Sequence, residues 1–184
     1  MKLVIGLVGE KGSGKQTFVN FFKDLNPNLN IRQVRFSDIL AQTLLMWDIP
    51  ITRSNLQQLS IAMDKTFGSK TLAHAAKFNI EGENADVIIF DGIRGQTQVD
   101  MIKTYPKNII IYITANQKLR YQRLKNKSEK VGETGLSFEQ FMKEEKVKVE
   151  IAVPKIGKKA DFKIENNSTL DEFKAKIRQL LLQL

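Results

Sequence analysis

The chain has 184 residues and no cysteine, with 29 Lys and Arg against 20 Asp and Glu for a formal net charge of +9. This length suits one domain with a full core, and the lack of cysteine excludes disulfides, thiolate metal sites and a cysteine nucleophile. No apolar run reaches membrane-spanning length and the N-terminus lacks a signal-peptide pattern, so a cytoplasmic protein without membrane partners is expected, its positive charge meeting anionic ones.

The first element is the apolar run Leu3 to Val8, which reads as a buried strand. It runs into Gly9-Glu10-Lys11-Gly12-Ser13-Gly14-Lys15-Gln16-Thr17, and a helix follows from Phe18 to Lys23. Strand, glycine-rich loop, lysine and helix in that order describe a phosphate-binding P-loop. The glycines let backbone N–H groups converge on an anion, and the helix N-terminus adds its own. Gly9, Lys11, Gly12, Ser13 and Gly14 form the cradle, and Lys15 reaches the β- and γ-phosphates. The residue after this lysine is normally Ser or Thr, whose hydroxyl binds Mg²⁺. Here it is Gln16, whose neutral carbonyl oxygen is the expected metal contact. Thr17 faces an α-phosphate or caps locally.

Arg32 to Phe36 is a short second strand. Phe36-Ser37-Asp38 closes it, with Ser37 or Asp38 able to cap a helix from Ile39. A helical insertion spans roughly residues 38 to 83, carried by Leu40, Leu44, Leu45 and then Leu56, Leu59, Met63. Pro50 punctuates it, and Ser54 is its expected N-cap. His74 reads as a partly buried structural residue, and Trp47 and the phenylalanines as core. Asp86 to Phe90 is a third strand, with Asp91 at its C-terminal end. Such a carboxylate lies beside the P-loop and holds Mg²⁺. Asn108 to Thr114 is a fourth strand, followed by a helix over 116–127. Arg120, Arg123 and Lys127 share one face of that helix. A polar stretch over 128–135 reads as a mobile loop, and Ser137 with Gln140 as a capping box. Asp161 to Glu165 is a fifth strand, and Leu170 to Leu184 a final amphipathic helix. Apolar strands alternating with helices specify an α/β fold with a parallel sheet covered on both faces.

Several of these stretches together resemble the P-loop nucleoside monophosphate kinases. Asp91-Gly92-Ile93-Arg94 is similar to the Asp-Gly-Ile/Val-Arg run of adenylate kinase-related and dephospho-coenzyme A kinase-like proteins. Ala160-Asp161-Phe162-Lys163-Ile164-Glu165-Asn166-Asn167 resembles a stretch of the latter group. The resemblance implies a five-stranded sheet in the order 2-3-1-4-5. The core is then 1–37, 84–127 and 150–184, with an acceptor-binding insertion over 38–83 and a lid over 128–149. It implies ATP and Mg²⁺ as cofactors, with the metal at Gln16 and Asp91. Arg94 and Arg53 would grip the acceptor's phosphate, and Asp38 would orient the attacking oxygen. Arg123 would stabilise the transferring phosphoryl group, with Arg120 nearer the adenine. Asn167 would border the adenine or cap the last helix. The implied activity is transfer of the γ-phosphoryl group to a nucleoside monophosphate or a nucleotide-like acceptor, in a monomer or homodimer. Dephospho-coenzyme A is an alternative acceptor. A nucleotide-binding switch or ATPase acting on RNA or a protein partner is the other alternative, given the basic charge, Gln16 and Lys127. Lysines such as Lys155, Lys158 and Lys159 equally suit a plain solvated surface.

Overall fold

The structure is a computed structural model that describes residues 2–126 and 137–183. Its elements in chain order begin with β1 (Leu3–Val8), α1 (Lys15–Leu25), β2 (Ile31–Arg35), α2 (Phe36–Met46), α3 (Arg53–Phe67) and α4 (Thr71–Phe78). They continue with β3 (Val87–Ile93), α5 (Gln96–Lys103), β4 (Asn108–Thr114) and α6 (Gln117–Asn126). The last are α7 (Phe138–Glu145), α8 (Lys148–Gly157), β5 (Phe162–Glu165) and α9 (Leu170–Leu181). The five strands pair in the order β2-β3-β1-β4-β5, which the family resemblance implies, and all are parallel, as their alternation with helices predicts.

The three central strands have apolar side chains on both faces, which is why they read as continuous runs rather than alternations. Successive residues of β1 divide between two cores. Val4 and Val8 join Phe36, Phe90, Ile102 and Val153 on one side of the sheet. Ile5 and Leu7 join Phe18, Phe22, Phe173 and Ile177 on the other, under α1 and α9. A third, smaller cluster of Leu40, Leu44 and Leu56 packs α2 against α3, with Leu72 of α4 beside it.

Several boundaries differ from the sequence expectation, each for a local reason. Helix α2 starts directly at Phe36, so Ser37 and Asp38 lie inside its first turn rather than capping it. Asp38 there complements the helix dipole. The α3 cap is Thr52, whose hydroxyl accepts from Asn55 N at 3.1 Å, two residues before Ser54. β3 continues through Asp91 to Ile93, which places Asp91 within a hydrogen-bonded strand. Trp47 is 60% exposed, and His74 is exposed as well. Phe67 and Phe78 also face outward, at the last residues of α3 and α4. The Ser137–Gln140 capping box is present, with Gln140 N donating to the Ser137 hydroxyl at 3.2 Å and Ser137 N donating to Gln140 Oε1 at 2.9 Å. Lys127 and the mobile loop expected over 128–135 lie outside the described residues. Among the described residues no helix is long and apolar enough to cross a membrane.

Candidate active site

The loop between β1 and α1 is shaped by its glycines. Gly14, the N-cap of α1, has φ 107°, and Gly12 has φ 76°, conformations that L side chains rarely adopt. Space is short too: a Cβ on Gly12 would lie 2.7 Å from Arg120 O, and one on Gly14 would strike the Asn166 amide. Two side chains brace the loop from outside. Asn166 Nδ2 donates to Ser13 O at 2.8 Å, and Arg120 Nη1 donates to Lys11 O at 3.1 Å. Ser13 is fully buried and its hydroxyl has no hydrogen-bond partner among the described residues.

Lys15 folds back onto this loop. Its Nζ donates to Gly9 O at 2.9 Å and to Glu10 O at 3.2 Å. Burial pushes the Lys15 pKa down, while the nearby Asp91 carboxylate opposes the shift. Glu10, itself buried, accepts a hydrogen bond from the Tyr112 hydroxyl of β4. Burial, with this carboxylate, pushes the Tyr112 phenol up to about 12.

Asp91 is positioned by the parallel register, which sets it between Leu7 of β1 and Arg35 of β2. One carboxylate oxygen, Oδ2, accepts from Gln33 Nε2 at 3.1 Å and lies 3.7 Å from Arg35 Nε. The other, Oδ1, is buried and has no hydrogen-bond partner among the described residues. Gln33 also donates to Gln16 Oε1 at 3.2 Å, and Arg35 hydrogen-bonds the same oxygen. An orphaned carboxylate oxygen near a neutral carbonyl oxygen fits a hard divalent cation such as Mg²⁺. Among the described residues no cluster of three or more His, Cys, Asp or Glu could hold a metal. One or two protein oxygens plus phosphates and water is the usual Mg²⁺ arrangement. Gln33 and Arg35 were not anticipated, although both are polar residues alternating with apolar ones in a short strand.

A cleft of about 860 Å³ opens over the loop. Lys11, Gly12, Gly14, Lys15, Gln16 and Thr17 line it from the P-loop and α1. Asp38, Arg53, Asp91, Arg94 and Arg123 line it from the surrounding elements. Arg94 follows β3, where Gln98 Oε1 accepts from its backbone N at 2.6 Å and fixes the turn. Its guanidinium Nη1 reaches Gly9 O at 3.4 Å. Burial pushes the Arg94 pKa down, and Glu150 opposes this. Arg53, at the first turn of α3, donates from Nη2 to Glu150 Oε1 at 2.6 Å. Arg94 Nη1 lies 3.2 Å from Glu150 Oε2, so one buried carboxylate on α8 joins both arginines. Glu150 lines the cleft and was missed by the sequence analysis, as was α8.

Four expected site residues are not in the cleft lining: Gly9 and Ser13 of the loop, and Arg120 and Asn167. Arg120 does not line the cleft. Its guanidinium is buried, donating to Ala115 O at 3.0 Å, to Lys11 O and to Glu145 Oε2 at 2.5 Å, with the Phe141 ring 5.5 Å away. Asn167 is exposed, and its Oδ1 accepts from Asn116 N at 2.7 Å at the entry to α6. It does not cap α9, whose cap is Thr169, accepting from Glu172 N at 3.3 Å. Arg123 does reach the cleft, and its Nη2 donates to Asn166 O at 3.0 Å.

No family model matches the chain. A curated relative, the UPF0200 protein of Methanoculleus marisnigri, is 28% identical over 182 residues, covering 98% of this chain and 96% of the relative. The UPF0200 protein of Hyperthermus butylicus is 22% identical over 183 residues, covering 100% and 95%. Among solved structures, shikimate kinase from Bacteroides thetaiotaomicron superposes with a TM-score of 0.61 at 14% identity, covering 98% of both chains. Shikimate kinase from Acinetobacter baumannii, in complex with shikimate, gives 0.58 at 17% identity, covering 100% of this chain and 94% of that one. The five-stranded parallel sheet, its strand order and these superpositions together give the chain the fold of the P-loop kinases.

Proposed function

We propose that this protein is an ATP-dependent phosphotransferase whose acceptor is a nucleoside monophosphate or a similar phosphate-bearing nucleotide. One observation carries the reading: the P-loop lysine Lys15 and the guanidiniums of Arg53 and Arg94 open on the same cleft. Cations at both the donor loop and a second anchoring point suit a reaction that joins two anionic substrates. Phosphoryl transfer needs mainly positioning and charge stabilisation, which such a cleft supplies.

In this reading the loop amides and Lys15 hold the donor phosphates. Lys15 exchanges its bonds to Gly9 O and Glu10 O for phosphate oxygens. Gln16 and Asp91 would hold Mg²⁺, which when bound neutralises charge on the β- and γ-phosphates. Arg123 faces the charge that develops on the transferring group, and Asp38 orients the attacking oxygen. Arg53 and Arg94 bind the acceptor phosphate, because a guanidinium fork matches phosphate oxygens bidentately. The helices over 38–83 form the acceptor side. Arg120 acts from behind, by holding the loop carbonyl of Lys11.

The test is product identification. Protein, Mg²⁺ and ATP labelled at the γ-phosphoryl group are incubated with each ribo- and deoxynucleoside monophosphate and with dephospho-coenzyme A. Label appearing in one acceptor supports the kinase and names its substrate. Label appearing only in inorganic phosphate would contradict it.

A further inference from the structure

Glu150 is an acid in a place where the kinase function proposed above needs positive charge. It is 6% exposed and comes from α8, 97 residues along the chain from Arg53. Its two oxygens serve two elements, Oε1 meeting Arg53 of α3 at 2.6 Å and Oε2 lying 3.2 Å from Arg94 after β3. A second acid, Glu144 of α7, lies 3.4 Å from Arg53 Nε and 3.3 Å from Lys11 Nζ. Two neighbouring guanidiniums repel each other, and each also loses hydration at the cleft wall. A carboxylate shared between them offsets both costs and fixes their separation. Both arginines line the cleft beside this carboxylate.

We propose that Glu150 is a positioning residue that holds Arg53 and Arg94 together as one phosphate-receiving pair, and so builds the acceptor subsite. The pair spans two parts of the fold, the helical insertion and the central sheet. Glu150 therefore ties the acceptor-binding helices to the strand that carries Asp91. The inference rests on the kinase reading for what the phosphate belongs to, but not for the existence of the subsite.

Two measurements test it. In steady state with the acceptor found above, E150A and E150Q raise the acceptor KM about tenfold to a hundredfold, the cost of misplacing a binding group. The KM for ATP stays within about twofold, and E150D, which keeps the charge, recovers part of the loss. An unchanged acceptor KM overturns the proposal. So does a lower acceptor KM in E150Q, which would make the acid a competitor of the acceptor. An equal loss of ATP affinity would also overturn it, showing a merely structural role. The second measurement needs no turnover: calorimetric binding of inorganic phosphate to a Lys15→Ala protein, whose P-loop contribution is weakened. Adding E150A or E150Q weakens this binding about tenfold, whereas equal binding, or no phosphate binding in Lys15→Ala alone, overturns the proposal. If wild type phosphorylates no acceptor yet the Lys15→Ala proteins show this phosphate effect, the kinase reading fails and the Glu150 assignment stands.

Discussion

Arg35 and Asp91 sit in register on neighbouring parallel strands, and the Arg35 Nε lies 3.7 Å from Asp91 Oδ2. The same guanidinium hydrogen-bonds the Gln16 side-chain oxygen. A cation thus stands at the Gln16 oxygen and beside the Asp91 carboxylate proposed to hold Mg²⁺, on the side away from Asp91 Oδ1. The guanidinium is part-exposed and the carboxylate buried, and at 3.7 Å their pairing is worth about 1 kcal/mol. Removing the guanidinium takes a competing cation away from both side chains and leaves only the neutral Gln33 amide on them, so Arg35→Met should tighten Mg²⁺ roughly fivefold. Titrating Mg²⁺ against ATP binding by calorimetry checks this. Weaker Mg²⁺ in the variant would mean that Arg35 supports the metal rather than opposing it.

Arg120 joins the P-loop to α7. Its buried fork donates to Lys11 O and to Glu145, and Phe141 packs against it. Arg120→Met leaves the Glu145 carboxylate without this partner. It should destabilise the protein by about 3–5 kcal/mol, the usual cost of breaking a buried pair on one side. ATP affinity should fall with it, because the loop carbonyl loses its brace. Urea unfolding and nucleotide titration measure the two effects separately.

Tyr112 gives a pH signature. Its phenol rises from an ordinary value of 10 to about 12, through burial and the Glu10 carboxylate. The folded state keeps this proton where the unfolded state releases it. Stability from Tyr112 is therefore complete below pH 10 and is lost as pH rises toward about 12. Tyr112→Phe should flatten that part of the stability profile. Denaturant unfolding between pH 9 and 11, with tyrosinate absorbance followed in parallel, tests it (about two units bracketing the ordinary tyrosine value). An unaltered alkaline slope in Tyr112→Phe would assign the effect to another group.

Trp47 is the single tryptophan and is 60% exposed at the C-cap of α2. Its fluorescence should be red-shifted and open to acrylamide quenching in the native protein. A blue-shifted, protected emission would show that this end of α2 is covered in solution.

How much of this was legible beforehand depends on the range of the signal. The P-loop announces itself because its strand, glycines, lysine and helix are contiguous, and the buried central strands announce themselves as apolar runs. Parallel order followed from alternation with helices and the family resemblance. The α2 start was hidden because Phe36 follows β2 directly and Arg35 makes no side-chain cap, so no boundary residue marks the change. At α3 both Thr52 and Ser54 were competent caps, and only the chain path after Pro50 selects Thr52. Trp47 was misjudged because composition says nothing about which end of a short helix is covered. The ion pairs were out of reach for a deeper reason. Arg53 meets Glu150 across 97 positions, and Arg120 meets Glu145 across 25. A sequence shows which cations and acids exist, but the fold decides which of them meet. That is why two arginines were expected at the acceptor and the acid that joins them was not.

The central claim is that the cleft joins a nucleotide donor to a second, phosphate-bearing substrate. Acceptor dependence of ADP formation tests it most directly. Wild type and Lys15→Ala are assayed with ATP and Mg²⁺, alone and with each acceptor in turn. The account predicts that one acceptor raises ADP formation well above the ATP-only rate. Lys15→Ala should lower that rate by about a hundredfold or more, the scale of losing a charge-stabilising group. ADP formation that no acceptor alters, in a protein that binds ATP, would contradict the account and point to a nucleotide-dependent switch.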